Sequence, residues 1–255
     1  MSASRATLRV SAAGCTPTAE LAAAQAPQRW NLCTAAQDGW LEVTHQVMGD
    51  GFFGGDLATT RVSIGPAAKA IVRGVSATPL RRGCSAAVTR LNIAGGQLLW
   101  LPGPLVPHRN AKHSAGVDIR MSAGSETLFA ATLLLGRTGW GEVASFRELR
   151  FRTRLRYDAE LAIKEDITVT PGSLVAVADS DRYEAFVSLL AIGPRLGSLS
   201  FECSTEECLV GSSQLRAGGT AVRALFPHLG AALEFLGSVE RRARVLLDEP
   251  PQGRC

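Results

Sequence analysis

One candidate for chemistry is an acidic residue that follows a glycine pair. Asp56 ends the stretch GFFGGD, residues 51–56, and the strand-like stretch LATTRVSI follows it directly. Turn chemistry favours a structural use, in which the carboxylate accepts hydrogen bonds from nearby backbone N–H groups. The functional alternative is a carboxylate held at the mouth of a strand, where a metal ion or a partner could reach it.

A second glycine-rich stretch, GRTGWGE at residues 136–142, ends in another acid. Its glycines, Gly136, Gly139 and Gly141, predict a loop in which Arg137 and Glu142 approach each other. A phosphate-binding loop is excluded, because no Gly-Lys-Ser/Thr ending and no helix pattern follow. The simplest interpretation is a strand connection with a surface ion pair.

Histidines and cysteines could ligate a metal, but their spacing is weak support for a site. His108 and His113 lie in PHRNAKH, a proline-flanked loop without fixed ligand geometry. Cys203 and Cys208 are too far apart for a two-residue zinc knuckle, and no second pair follows. We interpret the six cysteines, at positions 15, 33, 84, 203, 208 and 255, as reduced thiols.

Composition excludes several classes of protein. The 255 residues carry a net charge of +4, and aromatic residues make up 6%, which argues against a nucleic-acid-binding surface. The longest apolar run, residues 128–135, has the length of a strand, so we expect no membrane span and a cytoplasmic protein. No Gly-x-Ser-x-Gly motif or histidine partner spacing supports nucleophilic catalysis.

A weak repeat carries the prediction of fold. Four times, alternating apolar residues reach a glycine-containing turn and a continuous apolar run follows; the first three turn glycines are Gly65, Gly95 and Gly124. The alternating half suits a strand with one wet face, and the continuous half suits a strand buried on both faces. Spacing near 30 residues fits stacked units, although an antiparallel sandwich would look similar.

These patterns predict an all-β-dominated single domain over residues 1–255, with one or two short C-terminal helices. The β body covers 30–220, helical spacing covers 221–247, residues 248–255 form a tail, and residues 1–30 remain uncertain. Residues 151–161 form the clearest predicted strand. Its arginines, together with Arg150, form a stripe that we interpret as a solvated sheet face rather than a patch for acidic polymers.

Taken in order, the short motifs resemble the urease accessory protein UreD (UreH) family. The resemblance covers roughly residues 40–240 and rests on these stretches: Gly54-Gly55-Asp56, VSIGPAAKAIV, LLWLP, GRTGWGE, YEAFVSLLAIGP and AVRALFPHLGAALEFL. The sequence departs from the family pattern after LLWLP, where Gly103 and Pro104 replace a frequent glutamine-glutamate pair.

The resemblance implies a non-catalytic scaffold with an extended, stacked-strand, β-helix-like body. Proteins of this family bind the urease apoprotein and UreF, which recruits the GTPase UreG, and nickel is proposed to pass through a water-filled tunnel. The resemblance further implies that Asp56 and Glu142 lie along or beside the path of the nickel ion. It also implies that partner-binding motifs include Gly54, Gly55, Gly136, Arg137, Gly139 and Gly141. No tightly bound cofactor is expected, only transient nickel.

Two other functions remain open at this point. A metal-dependent β-protein enzyme would use His108 and His113 with Asp56 or Glu142. A binding module for acidic polymers would use the arginine stripe. The first predicts a stoichiometric, tightly held transition metal in the isolated chain. The second predicts salt-sensitive binding that is lost when Arg152 and Arg154 become Ala.

Overall fold

The computed structural model describes residues 3–13, 16–33, 39–175, 182–201, 208–216 and 218–249. The strands of the first half are β1 (Ala3–Ala13), β2 (Thr16–Ala24), β3 (Gln28–Leu32), β4 (Leu41–Val47), β5 (Leu57–Ile64), β6 (Lys69–Gly74), β7 (Thr78–Leu80), β8 (Gly83–Ile93), β9 (Gln97–Leu101) and β10 (Leu105–Pro107). Those of the second half are β11 (Ala111–Met121), β12 (Glu126–Leu134), β13 (Gly136–Arg137), β14 (Glu142–Val143), β15 (Glu148–Tyr157), β16 (Glu160–Val169), β17 (Ala185–Ile192), β18 (Leu209–Leu215) and β19 (Gly219–Phe226). The α-helices are α1 (Pro171–Val175) and α2 (Leu229–Asp248).

Two facing sheets form the body, which confirms the all-β-dominated fold. The seven-stranded sheet has the order β16-β15-β11-β8-β5-β1-β2, and the ten-stranded sheet contains the path β18-β19-β17-β12-β9-β6-β4-β3. The chain passes repeatedly from one sheet to the other, so that β5, β8 and β11 stack in parallel in one sheet, as do β6, β9 and β12 in the other.

The stacking confirms the repeat and fixes its period. Leu57 is paired with Ala86, and Gly83 with Ala111, so successive coils advance by 29 and 28 residues. Gly95 and Gly124 have φ values of +72° and +74°, as the turns between the sheets require. At the first turn Ala67 adopts the positive φ instead of Gly65.

The fourth unit of the predicted repeat is wrong. Residues 160–169 form β16, which is antiparallel to β15 rather than a further coil. The predicted strand over 151–161 is wrong at its end for the same reason: Asp158 and Ala159 both have positive φ and make a tight hairpin turn. The apolar run after Gly172 begins as helix α1, and residues 176–181 lie outside the described residues.

The predicted C-terminal helical segment, 221–247, also needs correction. Residues 219–226 form strand β19, whose buried and half-buried residues alternate, and α2 begins only at Leu229. The His228 side chain caps α2 by accepting a hydrogen bond from the Ala231 N–H at 3.1 Å. The uncertain N-terminal segment, residues 1–30, contains β1, β2 and the start of β3, and β1 pairs with both β2 and β5.

Three layers result from this arrangement. One hydrophobic core fills the space between the sheets, and a second lies between the ten-stranded sheet and α2. The buried stripe of α2 consists of Ala232, Phe235, Leu236, Val239, Ala243 and Leu247. A buried Glu240 on the same helix forms an ion pair with Arg73 of β6, which ties the helix to the sheet.

Candidate functional site

The segments that lead into β5, β8, β11 and β15 stack at one end of the molecule. We call this surface the turn end; it comprises residues 50–56, 81–83, 108–110 and 136–147. Backbone hydrogen bonds join the successive segments: Gly55 N–H to Cys84 O at 2.7 Å, and Asn110 N–H to Ser145 O at 2.9 Å. Both glycine-rich motifs therefore lie on one surface.

Asp56 acts as a turn former in this structure. Its Oδ2 accepts a hydrogen bond from the Phe53 N–H at 2.8 Å, and its own N–H donates to Phe53 O at 3.1 Å. Gly55 has φ +94°, which only glycine adopts freely, and a Cβ on Gly54 would lie 3.3 Å from Arg82 O. The glycine pair and the acid are thus explained by the packing of one turn on the next.

The second motif forms a short hairpin between β13 and β14. Arg137 is paired with Glu142, and their Nε and Oε2 atoms lie 3.5 Å apart, which confirms the predicted approach. Gly136 has φ +138°, and a Cβ there would lie 1.9 Å from Glu142 O. Gly141 also has a positive φ, whereas nothing lies within 4 Å of a Cβ built on Gly139.

His108 lies between two arginine side chains of the turn end. The Nη1 atoms of Arg81 and Arg137 both lie 3.2 Å from His108 Nδ1. Burial, and then the charges of the two arginines, lower the pKa of His108, so the ring is neutral and can accept a hydrogen bond. The cluster also includes Arg109, whose Nε lies 3.8 Å from Glu142 Oε1.

His113 has entirely different surroundings. Its ring is 2% exposed and stacks on Phe52 with a centroid distance of 5.5 Å, and its Nδ1 lies 2.8 Å from Ser85 Oγ. Its Nε2 is buried without a hydrogen-bond partner, and burial lowers its pKa to about 4. Within the described ranges, no three His, Cys, Asp or Glu side chains form a group that could hold a metal ion.

A cavity of about 150 Å³ runs between the two sheets and is called here the axial cavity. Strands from successive coils line it, from Gln28 of β3 through His113 of β11 to Glu165 of β16. The lining is mostly apolar. Glu165 also borders an outer groove of about 710 Å³ near β18, where it forms an ion pair with Arg223. Neither Asp56 nor Glu142 is among the described lining residues.

Sequence reasoning did not identify the polar network at the far end of the axial cavity. Gln28 is buried; its Nε2 donates to Ser4 Oγ, and its Oε1 accepts from Thr60 Oγ1 at 2.7 Å and lies 3.2 Å from His45 Nε2. Burial lowers the pKa of His45 to about 4. The one available signal was the position of His45, which continues the inward-facing alternation of Leu41 and Val43 in β4.

The arginine stripe is only partly paired. The Nε atom of Arg150 donates to Asp166 at 2.7 Å, Arg152 lies 3.9 Å from the same carboxylate, and Arg156 lies 3.9 Å from Asp118. This pattern fits a solvated sheet face. Arg154 is exposed and has no ion-pair partner among the described residues, and Arg152 and Arg156 are held only by contacts of 3.9 Å.

The cysteines require one correction. Cys33 and Cys84 are free and exposed, as expected of reduced thiols. Cys208 is disulfide-bonded, so the prediction that all six are reduced is wrong. The other three cysteines, at positions 15, 203 and 255, lie outside the described residues.

The protein has a stacked-strand body, and its two glycine-rich motifs form turns on one surface, the turn end. The model of the family described as "UreD urease accessory protein" matches residues 2–255, and the chain belongs to this family. A helix long and apolar enough to cross a membrane is absent from the described part of the chain.

Curated relatives agree with this assignment. Urease accessory protein UreD of Sorangium cellulosum is 24% identical over 226 residues, covering 84% of this chain and 72% of the relative. The protein of the same name from Opitutus terrae is 26% identical over 218 residues, covering 80% and 79%. Urease accessory protein UreD 1 of a Synechococcus strain is 36% identical over 115 residues, or 42% of each chain.

Proposed function

We propose that this chain is a non-catalytic, cytoplasmic scaffold for urease maturation, which docks the urease apoprotein, UreF and UreG and assists the delivery of nickel. Membership of the UreD family supports the role in maturation. The named partners and the passage of nickel come from the family resemblance.

The axial cavity is the observation that best supports assistance with nickel. It extends through successive coils and is bordered by two histidines, His45 and His113, whose low pKa keeps them neutral near pH 7. Neutral imidazoles can contact a passing divalent ion, and a mostly apolar wall with few ligands would not retain it. Nickel is cargo in this scheme.

Asp56 and Glu142 are weaker candidates for the ion path. Asp56 is used by its own turn, and Glu142 lies between two arginines. We retain them as acids beside the path rather than in it. The enzyme alternative has little support, because His108 and His113 have separate surroundings and different partners.

Docking is tested by co-expression of the chain with urease subunits, UreF and UreG, followed by affinity purification at low salt. Co-purification of the partners supports the scaffold. Their absence from the purified material would overturn it.

Nickel guidance is tested by narrowing the axial cavity. Ala115 of β11 lines the cavity, whereas the preceding residue, Ser114, points to the opposite face of the strand. We expect Ala115→Phe to lower the nickel content of co-expressed urease several-fold while the accessory complex still assembles. Ser114→Phe is the matched control. Equal nickel content in both variants would contradict guidance through the cavity.

A further inference from the structure

Three exposed arginines occupy successive segments of the turn end. Arg82 precedes β8, Arg109 precedes β11 and Arg147 precedes β15. Arg82 and Arg147 have no ion-pair partner among the described residues, and Arg109 has one distant contact with Glu142 at 3.8 Å. Neighbouring strands lie about 5 Å apart, so the three side chains follow one another across roughly 10 Å.

Large apolar side chains are exposed beside these arginines. Trp140 is 79% exposed, Phe53 is 50% exposed and Val143 is 42% exposed. The Arg137 guanidinium lies over the Trp140 ring, 4.8 Å from its centroid. Arg137 is in turn held by Glu142 and His108. The contact with Arg137 modestly favours one orientation of the Trp140 ring, which reduces the entropy lost on binding.

The charge of the surface indicates what would cover it. The turn end contains five arginines and three acids, a net charge of +2, out of +4 for the whole chain. The acids are already used internally: Asp50 contacts Arg81, Asp56 caps its turn, and Glu142 contacts Arg137. The unpaired charges are thus positive and share the turn end with an exposed aromatic side chain, Trp140, a combination suited to an interface with an aromatic anchor and a charged rim.

We propose that the turn end is a docking surface for a partner protein that presents carboxylates around an apolar contact, with Trp140 as the central anchor and Arg82, Arg109 and Arg147 as the charged rim. This inference rests on the proposed scaffold function and gives one of its partners a place and a chemistry. A nucleic acid fits less well, because three acids interrupt the arginines and the net charge is small.

Cys84 supplies a native probe of this surface. It is a free, exposed cysteine between Arg82 and the body of β8, whereas Cys33, also free and exposed, lies at the end of β3. Alkylation of each thiol, measured peptide by peptide with mass spectrometry, is compared in the free chain and in complex with purified UreF, UreG or urease apoprotein. We expect at least one partner to slow alkylation of Cys84 about tenfold and to leave that of Cys33 unchanged. Unchanged alkylation of Cys84 in every complex overturns the inference.

Variants then test the chemistry of the surface in the full chain. We expect Trp140→Ala to weaken binding of the protecting partner about tenfold or more at low and high salt. The triple variant Arg82→Glu, Arg109→Glu and Arg147→Glu should weaken binding by a similar factor and reduce its salt dependence. Leu161→Ala is the control for the apolar change, and Arg61→Glu combined with Arg90→Glu is the control for the charge reversal. All three residues are exposed and lie outside the turn end. These control variants should bind the partner within about twofold of the wild type.

The outcomes separate this inference from the proposed function. A wild-type chain that binds none of the three partners overturns both. Wild-type binding that survives both sets of changes, with thermal unfolding showing folded variants, overturns the docking surface alone. Binding of a double-stranded DNA oligonucleotide that is lost in the triple variant would assign the arginines to nucleic acid and overturn the inference as well.

Discussion

The turn end and the axial cavity use polar residues in opposite ways. At the turn end, charged side chains are half-buried or exposed; some pair, as Arg137 and Glu142 do, and Arg82 and Arg147 have no ion-pair partner among the described residues. In the axial cavity, His113 is buried and His45 is half-buried; both are neutral near pH 7, and His113 Nε2 has no hydrogen-bond partner. The turn end exposes charge, whereas the two histidines that line the axial cavity carry none near pH 7.

The comparison also shows which part of the structure the glycine-rich motifs determine. Gly54, Gly55 and Asp56 are explained by the geometry of one turn, and Gly136 by its close approach to Glu142 O. The axial cavity also contains residues of quoted stretches, such as Phe52, Trp100 and Phe186, but strands far apart in the chain bring them together. The glycine-rich motifs therefore identify a surface, while the stacking of coils creates the interior.

The largest expected effect is the acid sensitivity of the cavity histidines. The pKa of His45 and of His113 is about 4 in the folded protein, against 6.5 for an ordinary histidine. Between pH 4 and pH 6.5 the unfolded chain binds more protons at these histidines than the folded protein does. The stability that the neutral histidines contribute is therefore complete above about pH 6.5 and is lost as the pH falls toward 4. Each histidine contributes a loss of about 3 kcal/mol over this range.

Urea unfolding at pH 7 and at pH 4.5 measures this loss. The variant His113→Phe should lose markedly less stability than the wild type on acidification, since one of the two imidazoles is gone. A phenylalanine retains an aromatic ring against Phe52, which makes the variant a reasonable structural substitute. An identical loss in both proteins would show that His113 does not titrate as described.

The next effect separates two glycines of one motif. Gly136→Ala should destabilise the protein by about 3 kcal/mol, because the new Cβ would lie 1.9 Å from Glu142 O at a φ that L-residues rarely adopt. Gly139→Ala is the matched control, since open space surrounds that position and no positive φ is required. Thermal unfolding of both variants measures the difference. Equal melting temperatures would refute the close approach at Gly136.

Much of the fold could be predicted from local pattern. Alternation followed by a glycine turn predicted the parallel coils, and Gly95 and Gly124 do adopt the positive φ of such turns. The hairpin at Asp158 and Ala159 was missed because alternating apolar residues continue on both sides of a two-residue turn. Strand β19 was missed because Val222 and Phe226 are also spaced as on a helix, so the spacing alone could not distinguish the two structures.

The candidate site was predictable only where its geometry depends on neighbouring residues in the sequence. Asp56 as a turn former and the approach of Arg137 to Glu142 depend on residues within one short segment, and turn chemistry describes such segments well. The axial cavity depends instead on long-range pairing. Gln28, Thr60 and His45 come from three strands, and their network exists only after β3, β4 and β5 have taken their places.

The smallest effect distinguishes the turn role of Asp56 from a role beside the ion path. Asp56→Ala removes the acceptor of the Phe53 N–H and should cost about 1 kcal/mol in the free energy of unfolding. Asp56→Asn keeps an acceptor oxygen and removes the charge, so its stability should remain within about 0.5 kcal/mol of the wild type. Nickel content of co-expressed urease then sharpens the comparison between the two regions. If Asp56→Asn is stable and delivers nickel normally, the carboxylate matters only as part of the turn. If it is stable and delivery falls, the turn end contributes charge to the proposed ion path.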